Sequence, residues 1–495
     1  MNHTFGLARR PIWSVSLALV AGLALRLFFI LVMPNFDGDS EVYGTIAKNL
    51  LVHHAYALDG PFRPTLIRVP GYPVFMAVVF AIFGIKNYIA VRYAQAVVDL
   101  GTCLLIAGFA CDHGGRRTGL FALWIACLCP FTANYVAIPM SECPSIFCVA
   151  LGLFAAGRLI SAINRKTGHR GTWLLVTTAA LIGATALRPD GVLLAAAILP
   201  GIWWYTRRSQ PYAGVRAAAI ATLLTTLALV PWTVRNYRTF HVFQPLAPRS
   251  ALDPSEVPLD GYDRWTTTWE KDFVSLGEIW WRGDDLPIDV HLLPDRAFDS
   301  PEEYRQTAQL ITDYNDLCTI TPELDARFAA LAEQRIHRHP LRQYVELPLL
   351  RLTDMWLRPR TEFLEDLPLR WWEWRLHPEG SLIAIAYALM NALLLMTAAV
   401  GFARRTVPFQ AMLLAYVLMR CIVLMLIPNA EPRYTLEAFP MVIVAAAMAL
   451  SGPDSAKPPR EAAPNRSRAS WQQIIDRESS SARMIADSEV TSEES

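Results

Sequence analysis

IWSVSLALVAGLALRLFFILVM, residues 12–33, is followed directly by Asn35-Phe36-Asp37-Gly38-Asp39-Ser40-Glu41-Val42-Tyr43. The first run carries a single charge, Arg26, and is long enough to cross about 30 Å of hydrocarbon. The second sets three carboxylates where the chain leaves the bilayer, and a short amphipathic run begins there. The apolar run ends at Met33-Pro34 without a small-residue cleavage site, so we read an uncleaved first span rather than a signal peptide.

Working outward, similar runs recur at about 87–111, 117–134, 143–162, 171–187, 191–205, 215–233, 381–402, 408–427 and 434–450. With 53% hydrophobic residues in 495, the chain is an all-α polytopic membrane protein of about ten transmembrane helices. The formal net charge of +1 gives no case for nucleic acid. The eight cysteines fall mostly in or beside apolar runs (Cys103, Cys111, Cys127, Cys129, Cys148, Cys421), a spacing that fits neither a disulfide framework nor a zinc site.

One apolar run, Pro70 to Gly84, is short for a span and opens with two prolines and a glycine. The basic clusters are Arg9/Arg10, Arg116/Arg117, Arg165/Lys166/Arg170, Arg207/Arg208 and Arg404/Arg405. All five share one side only if 70–84 does not cross, as the positive-inside rule favours. Residues 70–84 are then interfacial or re-entrant. Residues 40–54, with Val42, Ile46 and Leu50 at helical spacing, form a second interfacial helix.

This topology divides the chain into a membrane domain (1–233) with its first loop at 34–86, an extracytoplasmic lid segment (234–380), C-terminal spans (381–451) and a disordered cytoplasmic tail (452–495). Helix starts in the lid are expected at Ser300-Pro301-Glu302-Glu303 and Thr321-Pro322-Glu323, with a third helix over about 341–357. Trp265, Trp269, Trp280, Trp281, Trp371, Trp372 and Trp374 lie along the lid. They read as an interfacial aromatic belt, or as platforms for a sugar ring or prenyl chain.

The outer connections hold the carboxylates and guanidiniums at membrane depth, so chemistry belongs on the extracytoplasmic face. An Asp at a helix start is most often a cap, and that reading competes at Asp39. Asp39 is nevertheless the first choice for a general base, with Asp37 second and Glu41 solvated. Arg68, Arg188, Arg235 and Arg433 are candidate phosphate contacts, with snorkelling to headgroups the plain alternative. Arg188 and Arg433 stand out, each flanked by proline and an acidic residue (Asp190, Glu431). Glu142 reads as an orienting carboxylate for the acceptor, a partner of Asp39 at a divalent metal, a helix cap, or a partner of one of these arginines. Whether a metal is used stays open, and no His/Cys cluster suggests zinc. Mid-span Asp99, with Arg92 and Arg26, reads as an internal ion pair.

The order Asp39-x-x-x-Tyr43, Arg68-Val69-Pro70-Gly71-Tyr72-Pro73, Met140-Ser141-Glu142, Leu187-Arg188-Pro189, Pro231-Trp232-Thr233-Val234-Arg235-Asn236-Tyr237 and Glu431-Pro432-Arg433-Tyr434 resembles the GT-C superfamily of membrane glycosyltransferases, over about residues 10–450. The likeness is to bacterial relatives of protein O-mannosyltransferases and of the aminoarabinose transferase acting on lipid A. The resemblance implies a polyprenyl-phosphate–sugar donor, an extracytoplasmic acceptor (protein, glycolipid or cell-wall glycan), inversion, and Asp39 as the family's first-loop carboxylate. It also places Tyr43, Arg68, Arg188, Arg235, Glu431, Arg433 and Tyr434 around the substrate. Many lipid A transferases have Asp-Glu-x-Arg-Tyr here. This chain has Ser40 and Val42 in place of the Glu and the Arg, so phosphate contact falls to other arginines. The competing readings are a transporter or lipid flippase, an oligosaccharide polymerase or ligase using pyrophosphate-linked donors, and a scaffolding membrane protein. No internal repeat supports the transporter.

Overall fold

The computed structural model describes residues 5–33, 38–58, 63–248, 252–254, 258, 260–283, 286–362, 364 and 367–451. Asp37 and the expected tail, 452–495, lie outside the described residues. Among the described residues all regular structure is helical, and the only β pairing is a single bridge between Ala57 and Pro64.

The membrane part begins with α1 (Phe5–Val32), followed by α2 (Gly38–His53), α3 (Gly71–Phe83), α4 (Tyr88–Leu128), a short α5 (Pro130–Ala133), α6 (Glu142–Asn164), α7 (Arg170–Leu187), α8 (Val192–Thr206) and α9 (Pro211–Phe240). The lid carries α10 (Asp260–Thr267), α11 (Phe273–Glu278), α12 (Pro301–Asn315), α13 (Pro322–Arg338) and α14 (Leu347–Leu357). The chain then returns to the bundle as α15 (Pro378–Ala403), α16 (Gln410–Leu426) and α17 (Phe439–Ser451).

Among the described residues, seven helices are long and apolar enough to cross a membrane, with α3 and α16 shorter apolar helices. The chain is a multi-pass membrane protein. The spans expected at 87–111 and 117–134 are two halves of α4. Gly115 turns the chain between them at φ 83°, a conformation open to glycine. The second half folds back along the first, with Gly119 so close to Cys111 that a side chain there would meet its Cβ at 2.7 Å. That half ends at Leu128, earlier than expected. Cys129 is extended, and Pro130 cannot continue the hydrogen-bond ladder. The last span, expected at 434–450, covers Pro432–Ser451 and opens with a 3-10 turn over Pro432–Ala438 before α17.

α17 is the centre of the bundle. Its alanines Ala445, Ala446 and Ala447 are fully or almost fully buried, and small side chains let α4 and α15 approach closely. Arg26 donates to Asp99 through Nε (2.8 Å) and one terminal nitrogen (2.5 Å), tying α1 to α4. Arg92 does not share this pair; it donates to the carbonyls of Ile30 and Met33.

α2 and α3 pack on each other through Tyr43, Ala47, Tyr72, Met76 and Phe80. Gly71 brings α3 against the end of α7: a Cβ there would lie 2.5 Å from the Ala186 carbonyl oxygen.

In the lid, Ser300 and Thr321 cap α12 and α13 by accepting from the backbone N–H groups of Glu303 and Leu324. Trp265 and Trp269 are 0% and 1% exposed and form the lid's own core with Phe328, Tyr314 and Leu310. For these two the aromatic-belt reading is corrected. They lie on the inward stripe of α10 and its exit turn, packed against the apolar side chains of α12 and α13.

Candidate active site

The outer ends of α2, α6, α7 and α16, the turn 428–434, and the lid surround one cavity of 1710 Å³. Asp39, Tyr43, Arg68, Glu142, Arg188, Glu431, Arg433 and Tyr434 line it. Eight residues chosen over almost 400 positions of sequence thus meet at one place. Arg235 does not reach the cavity. Its guanidinium donates to the Thr65 and Tyr56 carbonyls at 2.7 and 2.8 Å, fastening the first loop to α9.

Each side chain is placed by its local fold. Asp39 is the second residue of α2, inside the helix rather than at its cap, and its carboxylate points to two arginines. Arg68 donates to Oδ1 at 2.7 Å, and Arg433 approaches Oδ2 through both terminal nitrogens at 3.4 Å. Burial raises the Asp39 pKa, but Arg68 and then Arg433 outweigh it and hold it below the ordinary carboxylate value. Asp39 is therefore ionised at neutral pH.

Arg433 also donates to Glu431 Oε1 at 2.9 Å, and Tyr434 O–H and Asn429 donate to the same oxygen. Burial pushes the Glu431 carboxyl up despite Arg433. Pro428 and Pro432 bracket this turn, which fixes the backbone that carries all three groups.

Glu142 opens α6 and is 2% exposed. Its Oε1 accepts from Arg188 at 2.9 Å and lies 3.8 Å from Arg433; its Oε2 has no hydrogen-bond partner among the described residues. Arg188, extended at the end of α7, reaches Asp190 (3.2 Å) and Glu437 (3.1 Å) as well. Burial opposes the Asp190 charge, but Arg188 and Arg420 bring its pKa down to about 2. Gly191 permits this turn, since a Cβ would sit 2.1 Å from the Ala184 carbonyl oxygen.

Arg420 and Glu437 were not singled out in the sequence. Arg420 meets Glu437 at 2.5 Å and Asp190 at 3.1 Å. The available signal was a lone guanidinium inside an apolar span, which is itself a pointer to an internal partner. The linked cluster holds five carboxylates (Asp39, Glu142, Asp190, Glu431, Glu437) and four guanidiniums (Arg68, Arg188, Arg420, Arg433).

Asp39 and Glu142 do not form a metal-ligand pair, because Arg433 reaches toward both. Among the described residues no three Asp, Glu, His or Cys side chains are grouped to hold a cation. The residues present do not fit a divalent ion bridging those two carboxylates.

The archaeal oligosaccharyltransferase AglB from Archaeoglobus fulgidus, solved with an inhibitory peptide and a dolichol-phosphate, superposes with a TM-score of 0.53 at 11% identity, covering 96% of this chain and 55% of that one. The chain shares its fold with this archaeal protein. ArnT from Cupriavidus metallidurans in the apo state matches at a TM-score of 0.37 and 15% identity over 88% of this chain and 76% of that one. The chain spans about half the length of the archaeal proteins. No protein-family model matches the chain, and neither does any curated protein sequence.

Proposed function

We propose that this protein transfers a sugar from a polyprenyl-phosphate donor to an extracytoplasmic hydroxyl acceptor, with inversion and with Asp39 as general base. The observation that carries the reading is an ionised carboxylate held between two guanidiniums at a cavity wall. Arg68 and Arg433 have the charge and the planar donor fork that suit a phosphate. Ile422, Met425, Leu426 and Ile427 line the same cavity and suit the lipid chain.

In this reading the donor phosphate enters and takes Arg68 and Arg433 from Asp39. The freed carboxylate is a stronger base. The acceptor oxygen attacks the anomeric carbon and its proton passes to Asp39. The carbon–oxygen bond to phosphate breaks, and the lipid phosphate leaves with the electron pair. Arg68, Arg188 and Arg433 stabilise the charge that builds on it.

The test uses purified protein in lipid with radiolabelled polyprenyl-phosphate sugars, scoring release of lipid phosphate and transfer to membrane acceptors. Asp39→Asn is expected to stay folded and lose about 10²–10⁴-fold in turnover. Arg433→Ala is expected to weaken donor use more than acceptor use. Normal turnover by Asp39→Asn removes Asp39 as base. A wild type that consumes pyrophosphate-linked oligosaccharide instead moves the assignment to the oligosaccharide ligases.

A further inference from the structure

The cavity has two unlike walls. The bundle wall is the ionic cluster. The lid wall carries Trp280, Trp281, Tyr344, Asp260 and Asp263. Trp265 and Trp269 are spent on the lid's core, whereas Trp281 is 44% exposed and Tyr344 68%. Trp281 is held edge-on to Phe273 at 5.3 Å, and the Trp280 indole N–H donates to Asp263 Oδ1 at 2.8 Å. These rings are therefore oriented by partners before any ligand arrives. Arg264, the cation on the same stretch, is turned to Glu333 at 2.6 Å.

Oriented indoles beside carboxylates suit a ligand with apolar C–H faces and many hydroxyl donors. A prenyl chain would bring no hydrogen-bond donor to the exposed Asp260 carboxylate. A phosphorylated headgroup would meet like charge at Asp260 and Asp263, while the lid's own cations at the cavity, Arg264 and Arg351, are engaged by Glu333 and the Thr267 carbonyl.

We infer that the lid wall is an acceptor subsite for an uncharged saccharide, with one sugar ring laid on Trp281 and hydroxyls donated to Asp260 and Asp263. This deepens the transferase reading and rests on it for the meaning of "acceptor". The binding itself needs no donor, so it is tested separately. Saturation-transfer NMR on the full chain in lipid nanodiscs would use neutral hexose and N-acetylhexosamine tetrasaccharides, and a serine/threonine-rich peptide in parallel.

A tetrasaccharide is expected to bind, to weaken about tenfold in Trp281→Ala, to recover largely in Trp281→Phe, and to be unchanged in Trp374→Ala, whose ring lies outside the cavity. That pattern without donor consumption keeps the saccharide subsite while the transferase reading fails. Donor consumption with the peptide bound and accepted, and no tetrasaccharide bound, overturns the subsite while the transferase reading stands. Tetrasaccharide binding that Trp281→Ala leaves intact also overturns it.

Discussion

Two guanidinium–carboxylate groups stand side by side in this molecule and differ in one respect. In the outer one, Arg68–Asp39–Arg433, the Asp39 and Arg68 side chains are 32% and 24% exposed. In the inner one, the Glu437–Arg420 pair, the side chains are 1% and 2% exposed. The chemistry is the same, but access to water is not. At the outer group a carboxylate can be exchanged for an incoming phosphate while solvent and substrate compensate the charge. At the inner pair nothing can replace a lost partner, so it acts as a fixed clamp joining α16 and the turn before α17. Breaking a buried pair by removing one member costs more than the pair contributes in place.

The largest effect expected from this comparison is on folding. Glu437→Gln leaves Arg420 with Asp190 as its one charged partner beside the Tyr434 carbonyl, and Arg188 short of one partner, and should destabilise the protein by roughly 3–5 kcal/mol. Thermal unfolding in detergent would register it as a large fall in midpoint and a loss of monodisperse protein. Asp39→Asn should leave the midpoint close to wild type. Equal midpoints for the two variants would erase the distinction between clamp and exchange site.

An intermediate effect is expected in the pH dependence of turnover. Arg68 and Arg433 depress the Asp39 pKa, so the base stays ionised at pH values where an unpaired carboxylate would begin to protonate. The stability linked to this charge is present above the unfolded pKa and is lost as pH falls through the lower folded one. Removing a guanidinium must raise the folded pKa. Arg68→Ala should therefore move the acid limb of kcat/KM to higher pH, and the acid limb of stability with it. An acid limb that stays in place would show that another group titrates there.

The spans, the two interfacial helices, the lid caps and eight cavity residues were legible because each depends on local pattern. Apolar runs set the helices, and Ser300 and Thr321 set their starts. Proline-flanked charges marked the turns at 188–191 and 428–434. What escaped was tertiary. Whether Trp265 faces a core or a bilayer depends on how α10 meets α13. Arg235 reads like Arg188 in its motif, and only the placement of Tyr56 and Thr65 decides that it meets backbone carbonyls instead of the cavity. Glu437 gave no signal because its partner, Arg420, lies in another span.

The smallest effect sharpens the comparison from the first loop. Arg68 and Arg235 both touch that loop, one inside the cavity and one outside it. Arg235 holds it by two hydrogen bonds to carbonyls, at 2.7 and 2.8 Å, and lies within 5.3 Å of the Tyr56, Trp232 and Phe240 ring centres. Lysine keeps the charge but cannot span both carbonyls, so Arg235→Lys should lose one such bond, about 1 kcal/mol. The unfolding midpoint should fall slightly, with donor KM and the acid limb unchanged, because no phosphate contact is removed. A rise in donor KM as large as that of Arg433→Ala would return Arg235 to the substrate and redraw the cavity's outer edge at α9.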